Sequence, residues 1–571
     1  MARLPVLLPS IPRAHRYDRE YFFGDVIAAV IVAIMLIPQS LAYALLAGMP
    51  AEAGLYASIL PLILYALLGT SSTLSVGPVA ITSLMTAAAL ADVAEQGTGD
   101  YLSAAITLAT LSGAMLLACG ILRLGVVANF LSHSVVQAFV TASAIVIAVS
   151  QLKHLLGVDN SGDNLVELLP TLYANIADTN FFTLALGLAV IAFLLASRRW
   201  GVPCLMRFGI SAHSAALLAK TAPVLGVIAT ILLVLGFDLE SRAVAVVGDI
   251  PAGIPALALP SFSMQLAQEL LVPAALISII GYVESISVGR SLGAKRREGV
   301  DNDRELIALG GANLTAAVSG AFPVTGGFSR SVVNFDAGAR TQVAGLMTAG
   351  LIALVAMFLT PYLYYLPKAA LAGTIIVAVM SLIDFSIIRK TWRFSKRDWG
   401  SVMATLLLTL GFGVEVGVSS GVLISIAMHL YRTARPHVAE VGLVEGTEHF
   451  RNVLRYKVKT FPEILSLRVD ESLFFANASM LEELIYGRVA EDERIAHVVL
   501  VCSAVNEVDF SALESLVEIN RRLQERGILL HLSEVKGPVL DKLQRAYFIE
   551  ELSGKLFLTQ HQAFTEISRM T

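Results

Sequence analysis

Between Phe22 and Ala434 the chain is divided by sparse charges into apolar stretches long enough to cross about 30 Å of hydrocarbon, or half of it where Gly and Pro interrupt them. They begin near Phe22, Gly54, Val76, Leu102, Phe130, Phe181, Pro223, Leu270, Leu306, Gly327, Val343, Ala370, Ser401 and Val416, about fourteen in all. Such a chain folds in a bilayer, where each backbone polar group must find its partner without water. Charge marks where this regime ends. Of the 86 Asp, Glu, Lys and Arg residues, 48 lie in the first 430 positions and 38 in the remaining 141. The latter density matches the quarter or so of a soluble domain and the former does not. The expected organisation is a cytoplasmic N-terminal segment (1–20), a membrane domain (21–433) and a cytoplasmic globular domain (434–571).

The net charge of −4 offers no concentrated basic face for nucleic acid. Cys119, Cys204 and Cys502 are far apart and lack the spacings of a metal site or a disulfide framework, so neither a metal nor a cofactor is expected. The first apolar run lacks a small-residue cleavage pattern and reads as a retained span.

Short cytoplasmic loops collect Lys and Arg. With the N-terminus inside, the loops after even-numbered spans should be basic, and they hold Arg123; Arg198, Arg199 and Arg207; Arg290, Lys295, Arg296, Arg297 and Arg304; Arg340; and Arg389, Lys390, Arg393, Lys396 and Arg397. The odd loops are acidic, with Lys153, Arg242 and Lys368 as the basic exceptions. One miscounted span would invert the pattern beyond it. The parity therefore predicts cytoplasmic N- and C-termini in a multi-pass membrane protein.

Two spans are too interrupted for simple helices. The third begins Ser75-Val76-Gly77-Pro78-Val79, and the tenth contains Gly326-Gly327-Phe328-Ser329-Arg330-Ser331. Each is third in a set of seven. Interrupted segments at matching positions of two halves point to an anion site built on inverted repeats, where half-helix N-termini meet near the midplane. Free N–H groups and the dipole of a helix start favour negative charge there.

These residues resemble the SulP anion permeases, whose animal relatives include the SLC26 exchangers. The matching stretches are IPQSLAYALLAGMPAEAGLYASILP (37–61), SVGPVAITSLM (75–85), VESISVGRSLGAKRREGVDNDRELIALGGANL (283–314) and FPVTGGFSRSVVNFDAGARTQVAGL (322–346). The resemblance implies an all-α polytopic domain of fourteen segments in a seven-plus-seven inverted repeat. Short strands would precede the half-helices of segments three and ten. Segments one to four and eight to eleven would form a core, and five to seven and twelve to fourteen a gate. It also implies a homodimer. Carried over to this chain, the pocket would be lined by Gln39 and Tyr43 from a broken first span, by the backbone at Val79, Ala80, Phe328, Ser329 and Arg330, and by the hydroxyls of Ser329 and Ser331. Arg330 would supply fixed positive charge.

Glu284 is an ionisable group inside an apolar span, which makes it a functional candidate by default. A low-dielectric site brings its protonation toward neutral pH, as a proton symporter requires. Relatives with Asp near this position are sodium-coupled, so Glu favours protons. The plainer readings are that Arg330 is a structural partner for Glu284 or for helix-end carbonyls, that Glu284 is a hydrogen-bonded structural acid, and that the Gly-Pro and Gly-Gly steps serve helix packing.

After Pro436 strands alternate with helices: 464–470, 479–489, 497–502, 511–526, 528–535 and a helix from about Val539, which predicts a small α/β domain. It resembles a STAS domain, and Ser511 stands where bacterial relatives are phosphorylated. Ser511 with Glu514 also reads as a capping box. Such a domain would regulate or assemble, through a cytoplasmic partner. The expected function is secondary anion transport of sulfate, bicarbonate or a dicarboxylate across the lipid bilayer. An anion channel or a membrane-tethered regulatory module are the alternatives. No motif of an enzyme is present: neither GxxxxGK[ST] nor HExxH occurs.

Overall fold

Pro38 lies inside an unbroken 28-residue helix, Arg19–Leu46, in the computed structural model of the chain. The structure describes residues 17–570 apart from 92, 127–131, 160, 161, 163, 220, 256 and 258–262. The first span is thus continuous, where the resemblance implies a broken one. Asp18 caps it, accepting a hydrogen bond from the Tyr21 N–H at 2.9 Å.

The other apolar stretches are occupied by helices at Ala51–Tyr56 with Leu60–Leu68, Ala80–Ala91, Gly99–Ile121, His133–Ser150, Phe181–Arg207, Ala222–Phe237, Leu271–Arg296, Asn302–Val318, Phe328–Asp336, Val343–Phe358, Lys368–Met380, Lys396–Phe412 and Val414–Ala434. The expected span start at Phe130 lies outside the described residues. Among those described, seven helical segments of 18 residues or more are apolar enough to cross a membrane, and four more apolar helices are shorter. Leu152–Leu156, Leu165–Asn175, Ala212–Ala219, Met264–Glu269 and Ser386–Phe394 are additional helices in connections that hydropathy leaves blank.

The apolar pattern faces two ways. On Ala222–Phe237, Leu225, Ile228, Leu232 and Leu235 form an exposed stripe, while Gly226, Val227, Thr230 and Val234 are buried. A stripe of that kind suits hydrocarbon rather than water. Inside, small residues let helices touch: a Cβ on Gly113 would lie 2.9 Å from the Gly310 carbonyl oxygen and 2.8 Å from the Leu314 nitrogen.

Two short strands cross at the centre of this unit. β1 (Val76–Gly77) pairs antiparallel with β2 (Thr325–Gly326), with Val76 opposite Gly326 and Gly77 opposite Thr325. Each runs into a half-length helix, Ala80–Ala91 and Phe328–Asp336.

By backbone contacts the chain divides into two compact units, Met1–Ser425 and Ile426–Thr571. The second holds a six-stranded sheet of β3 (Val438–Leu443), β4 (Phe450–Asn452), β5 (Ile464–Val469), β6 (His497–Val501), β7 (Leu529–Ser533) and β8 (Leu556–Phe557), in the order β4-β3-β5-β6-β7-β8. β5 to β8 are parallel, and β3 runs antiparallel to its neighbours. One face packs Leu465, Leu467, Leu500 and Leu532 against Leu481 and Ile485 of Ala478–Glu491 and Leu516, Ile519 and Leu523 of Phe510–Glu525. The other buries Ile464, Val499 and Phe557 under Ala563 and Ile567 of the last helix, Gln560–Ile567. Burial on both faces explains why β6 and β7 read as near-continuous apolar runs.

The expected capping box does not form. Asp509 is the N-cap of Phe510–Glu525 and accepts from the Ala512 N–H at 2.8 Å. Ser511 therefore falls within the first turn, where its hydroxyl cannot reach the N-cap position, and it is exposed. The loop ahead of it is tied down by Lys542, whose ammonium donates to Glu507 and to the Val508 carbonyl, both at 3.1 Å.

Candidate functional site

Beside the β1–β2 crossing lies a small cavity of about 60 Å³. Gln39 and Tyr43 reach it from Arg19–Leu46, Val79 and Ala80 from the start of one half-helix, Phe328, Ser329 and Arg330 from the start of the other, and Glu284 from the middle of Leu271–Arg296. Seven of the eight residues expected to bind substrate thus line one cavity, together with the expected coupling residue. The eighth, Ser331, is not in its wall. Its hydroxyl donates to the Gly327 carbonyl at 2.7 Å and accepts from the Ser75 N–H at 3.0 Å, so it links the two half-helix entries instead.

The chain folds this way because glycine stands where bulk would close the space. A Cβ on Gly77 would lie 2.8 Å from Arg330 Nη1. Gly327 is the N-cap of Phe328–Asp336 and offers no side chain to its first-turn N–H groups, which stay available to an anion.

Arg330 is 2 % exposed. Its Nη2 donates to the Thr325 carbonyl at 3.3 Å, while Nε and Nη1 are buried without a hydrogen-bond partner. Glu284 Oε2 is likewise buried and unpartnered. The two groups share the cavity, yet no ion pair joins them among the described residues, so of the two partners considered for Arg330 the structure shows a backbone carbonyl and not Glu284. A buried guanidinium with two free N–H directions and two uncapped helix starts is a receptor for negative charge. Gln39 (7 % exposed) and Tyr43 (8 %) close the inner side. Phe328 and Ser329, also in the wall, are exposed.

The wall opposite the half-helices comes from Ala378 and Val379 of Lys368–Met380 and from Ser381 and Leu382 just after it, residues that carry no motif. A supporting layer was equally silent in the sequence. Ser285 Oγ accepts from the Gly326 N–H at 2.9 Å and lies 2.7 Å from Thr325 Oγ1, which fixes β2. The Asn313 amide clamps Val324 through both its oxygen and its nitrogen, at 2.9 and 3.0 Å. Polar side chains inside apolar helices were the available signal, and their partners lie too far along the chain to be guessed.

Residues 22–405 match the Sulfate permease family, and residues 455–563 match the STAS domain. The fold and the cavity are accordingly those of a multi-pass membrane transporter for anions that carries a C-terminal STAS domain, and not of an enzyme. The chain belongs to the sulfate permease family. It is 35% identical over 565 residues to sulfate transporter 4.1, chloroplastic, of Arabidopsis thaliana, a match covering 96% of this chain and 81% of that protein. It is 33% identical over 554 residues to a probable sulfate transporter of Mycobacterium tuberculosis, covering 96% of each. Among solved structures, SLC26A9 superposes with a TM-score of 0.88 at 22% identity, over 99% of this chain and 94% of that one. The transmembrane domain of the cyanobacterial bicarbonate transporter BicA gives 0.61 at 23%, over 73% and 99%. At those identities the likeness is one of fold.

Proposed function

We propose that the protein is a secondary active transporter that moves sulfate by proton symport, with bicarbonate or a small dicarboxylate as the alternative cargo. The anion sits between the starts of Ala80–Ala91 and Phe328–Asp336, held by backbone N–H groups, the Ser329 hydroxyl and the Arg330 guanidinium. Gln39 and Tyr43 shape the remaining wall. Sulfate is favoured because the relatives above are named for it. The observation that carries the reading is the pair of unpartnered Arg330 nitrogens beside two opposed helix starts in a cavity of small-ion size.

Glu284 takes up and returns the proton, because an intramembrane carboxyl with an unpartnered buried oxygen, close to but not bonded to the fixed cation, suits proton transfer. Sodium would need several converging oxygens. Transport follows an elevator-like motion of the core, with its half-helices, against the gate, in a fourteen-segment inverted repeat. The protein is a homodimer in the bacterial inner membrane with both termini and the STAS domain in the cytoplasm. The exposed Ser511 is available there for regulation by a cytoplasmic partner.

Uptake of labelled sulfate, bicarbonate and succinate into proteoliposomes, with and without an inward proton gradient, tests this. Sulfate uptake should rise with the gradient, and Glu284→Gln should lose that dependence. Uptake indifferent to the gradient would end the symport reading, and full uptake by Arg330→Ala would remove the assigned role of that residue.

A further inference from the structure

Lys153 and Lys368 break the charge pattern of the loops in which they sit, and the fold brings them to one cavity. It is about 550 Å³, and its wall includes Lys153, His154, Asp159, Thr183 and Lys368. None of these residues belongs to the cavity of Arg330. Both lysines are half-buried, and neither ammonium has a hydrogen bond or ion pair among the described residues. Asp159, exposed at the edge, is the single acid among the described lining residues. Thr183 is 2 % exposed, and its Oγ1 is buried without a partner in the same wall.

The frame around these groups is fixed by backbone bonds. Lys153 lies on the short helix Leu152–Leu156, whose last carbonyl accepts from the Asn180 N–H at 2.9 Å. The Asn180 side chain in turn caps the helix that carries Thr183, accepting from the Thr183 N–H at 3.0 Å. The Lys368 N–H donates to Ala245 at 2.9 Å, and Val246 bridges to Pro367. Two ammonium groups held on such a frame repel each other and are partly stripped of water, costs that an occupant of opposite charge removes.

We propose that this cavity is a second anion site, separate from the transport site, that takes a small divalent oxyanion such as sulfate between Lys153 and Lys368, with the Thr183 hydroxyl as a further donor. The two cations match the ion's two charges, and the volume leaves room for part of its hydration shell. On the loop parity, the site faces the side opposite the basic loops. There a fixed positive cavity concentrates anions at the entrance.

The test uses the full-length protein in detergent. Its thermal unfolding midpoint is followed against sodium sulfate, with sodium chloride holding the ionic strength constant, in an Arg330→Ala background that weakens the transport site. A saturable sulfate-specific rise should persist in that background. Adding Lys153→Gln and Lys368→Gln should weaken it by roughly tenfold or more in apparent Kd, whereas the two Lys→Arg changes should retain it. If the double Gln variant does not purify folded, each single Gln variant should show a partial weakening. No sulfate-specific rise in the Arg330→Ala background, or unchanged affinity in the Gln variants, would overturn the proposal. Absence of uptake by the native chain would strike the transport reading alone and leave this site standing.

Discussion

A Cβ on Gly327 would lie 2.8 Å from Nε and 2.9 Å from Nη2 of Arg330, so the guanidinium rests directly on the backbone that opens the second half-helix. The backbone at Gly327 (φ −85°) suits any L residue, and the obstacles to a methyl group are movable side chains. Gly327→Ala should therefore fold, with a stability loss of about 1 kcal/mol or less, while displacing the guanidinium. Sulfate uptake should fall by roughly tenfold or more, because small misplacements of a charge-stabilising group are costly. Matched thermal melts and initial uptake rates check this. Native uptake by the variant would mean that the guanidinium need not sit where it does.

Glu305 and Asp25 are buried acids of the helical unit that each accept four hydrogen bonds, and Glu305 holds two distant segments together. It is 1 % exposed and accepts from the Tyr65 hydroxyl at 2.8 Å, the Thr70 N–H at 2.7 Å, the Thr70 hydroxyl at 2.6 Å and the Ser71 N–H at 3.1 Å. It thereby ties the chain just before β1 to the start of Asn302–Val318. Glu305→Ala would strand these donors and should cost about 3 kcal/mol or more. Glu305→Gln should cost less than the Ala variant but remain clearly destabilised, since its NH2 group faces donors. A melting midpoint for Glu305→Gln equal to the native one would show that the tie contributes little.

In the α/β unit, helix capping separates two neighbouring residues. Asp509→Ala should destabilise Phe510–Glu525 by about 1 kcal/mol, seen as faster amide exchange over residues 510–516 of the full-length protein. Ser511→Ala should leave that exchange unchanged. The reverse order would restore the capping role to Ser511.

His531 makes this unit acid-sensitive. The Lys555 N–H donates to His531 Nδ1 at 2.9 Å, so the proton sits on Nε2, which donates to His497 Nδ1 at 3.1 Å. Burial, then His497 and Lys555, push the imidazole from its ordinary value of 6.5 down to about 4. Burial also lowers His497. Between those two values the unfolded chain holds more protons at His531 than the folded one. Stability should thus fall as pH drops through that window, by at most about 1.4 kcal/mol per pH unit from this residue. Urea unfolding of the STAS domain within the full-length protein at pH 7 and pH 5 reads the difference. His531→Gln should flatten it, and an unaltered pH slope in that variant would assign the effect to other groups.

The cavity beside β1 and β2 was legible in Gly77-Pro78 and Gly326-Gly327 because a backbone that must come close to its neighbours leaves a mark on composition. The resemblance then supplied Gln39 and Tyr43, while Glu284 stood out by itself as an acid inside an apolar span. Ser331 misled because alternation along a helix start does not say which hydroxyl faces the cavity and which closes a backbone bond. Ser285, Asn313 and Glu305 went unread for a different reason. Their partners stand 11 to 240 residues away, and hydropathy carries no record of a pairing at that range. In the α/β unit the core strands β5, β6 and β7 were visible as apolar runs. β3, β4 and β8 were not: β4 and β8 are the short edges of the sheet, and β3, the strand next to an edge, is mixed in polarity.

The crossing of β1 with β2 has a consequence for biosynthesis. Val76 and Gly326 face each other although 250 positions separate them. A nascent chain released before Thr325 has one helix start aimed at an empty space, with neither its strand partner nor its arginine. The proposed anion site comes into existence late, after most of the helical unit has been made. Truncated products should therefore enter the bilayer without ever gaining the ability to hold the ion.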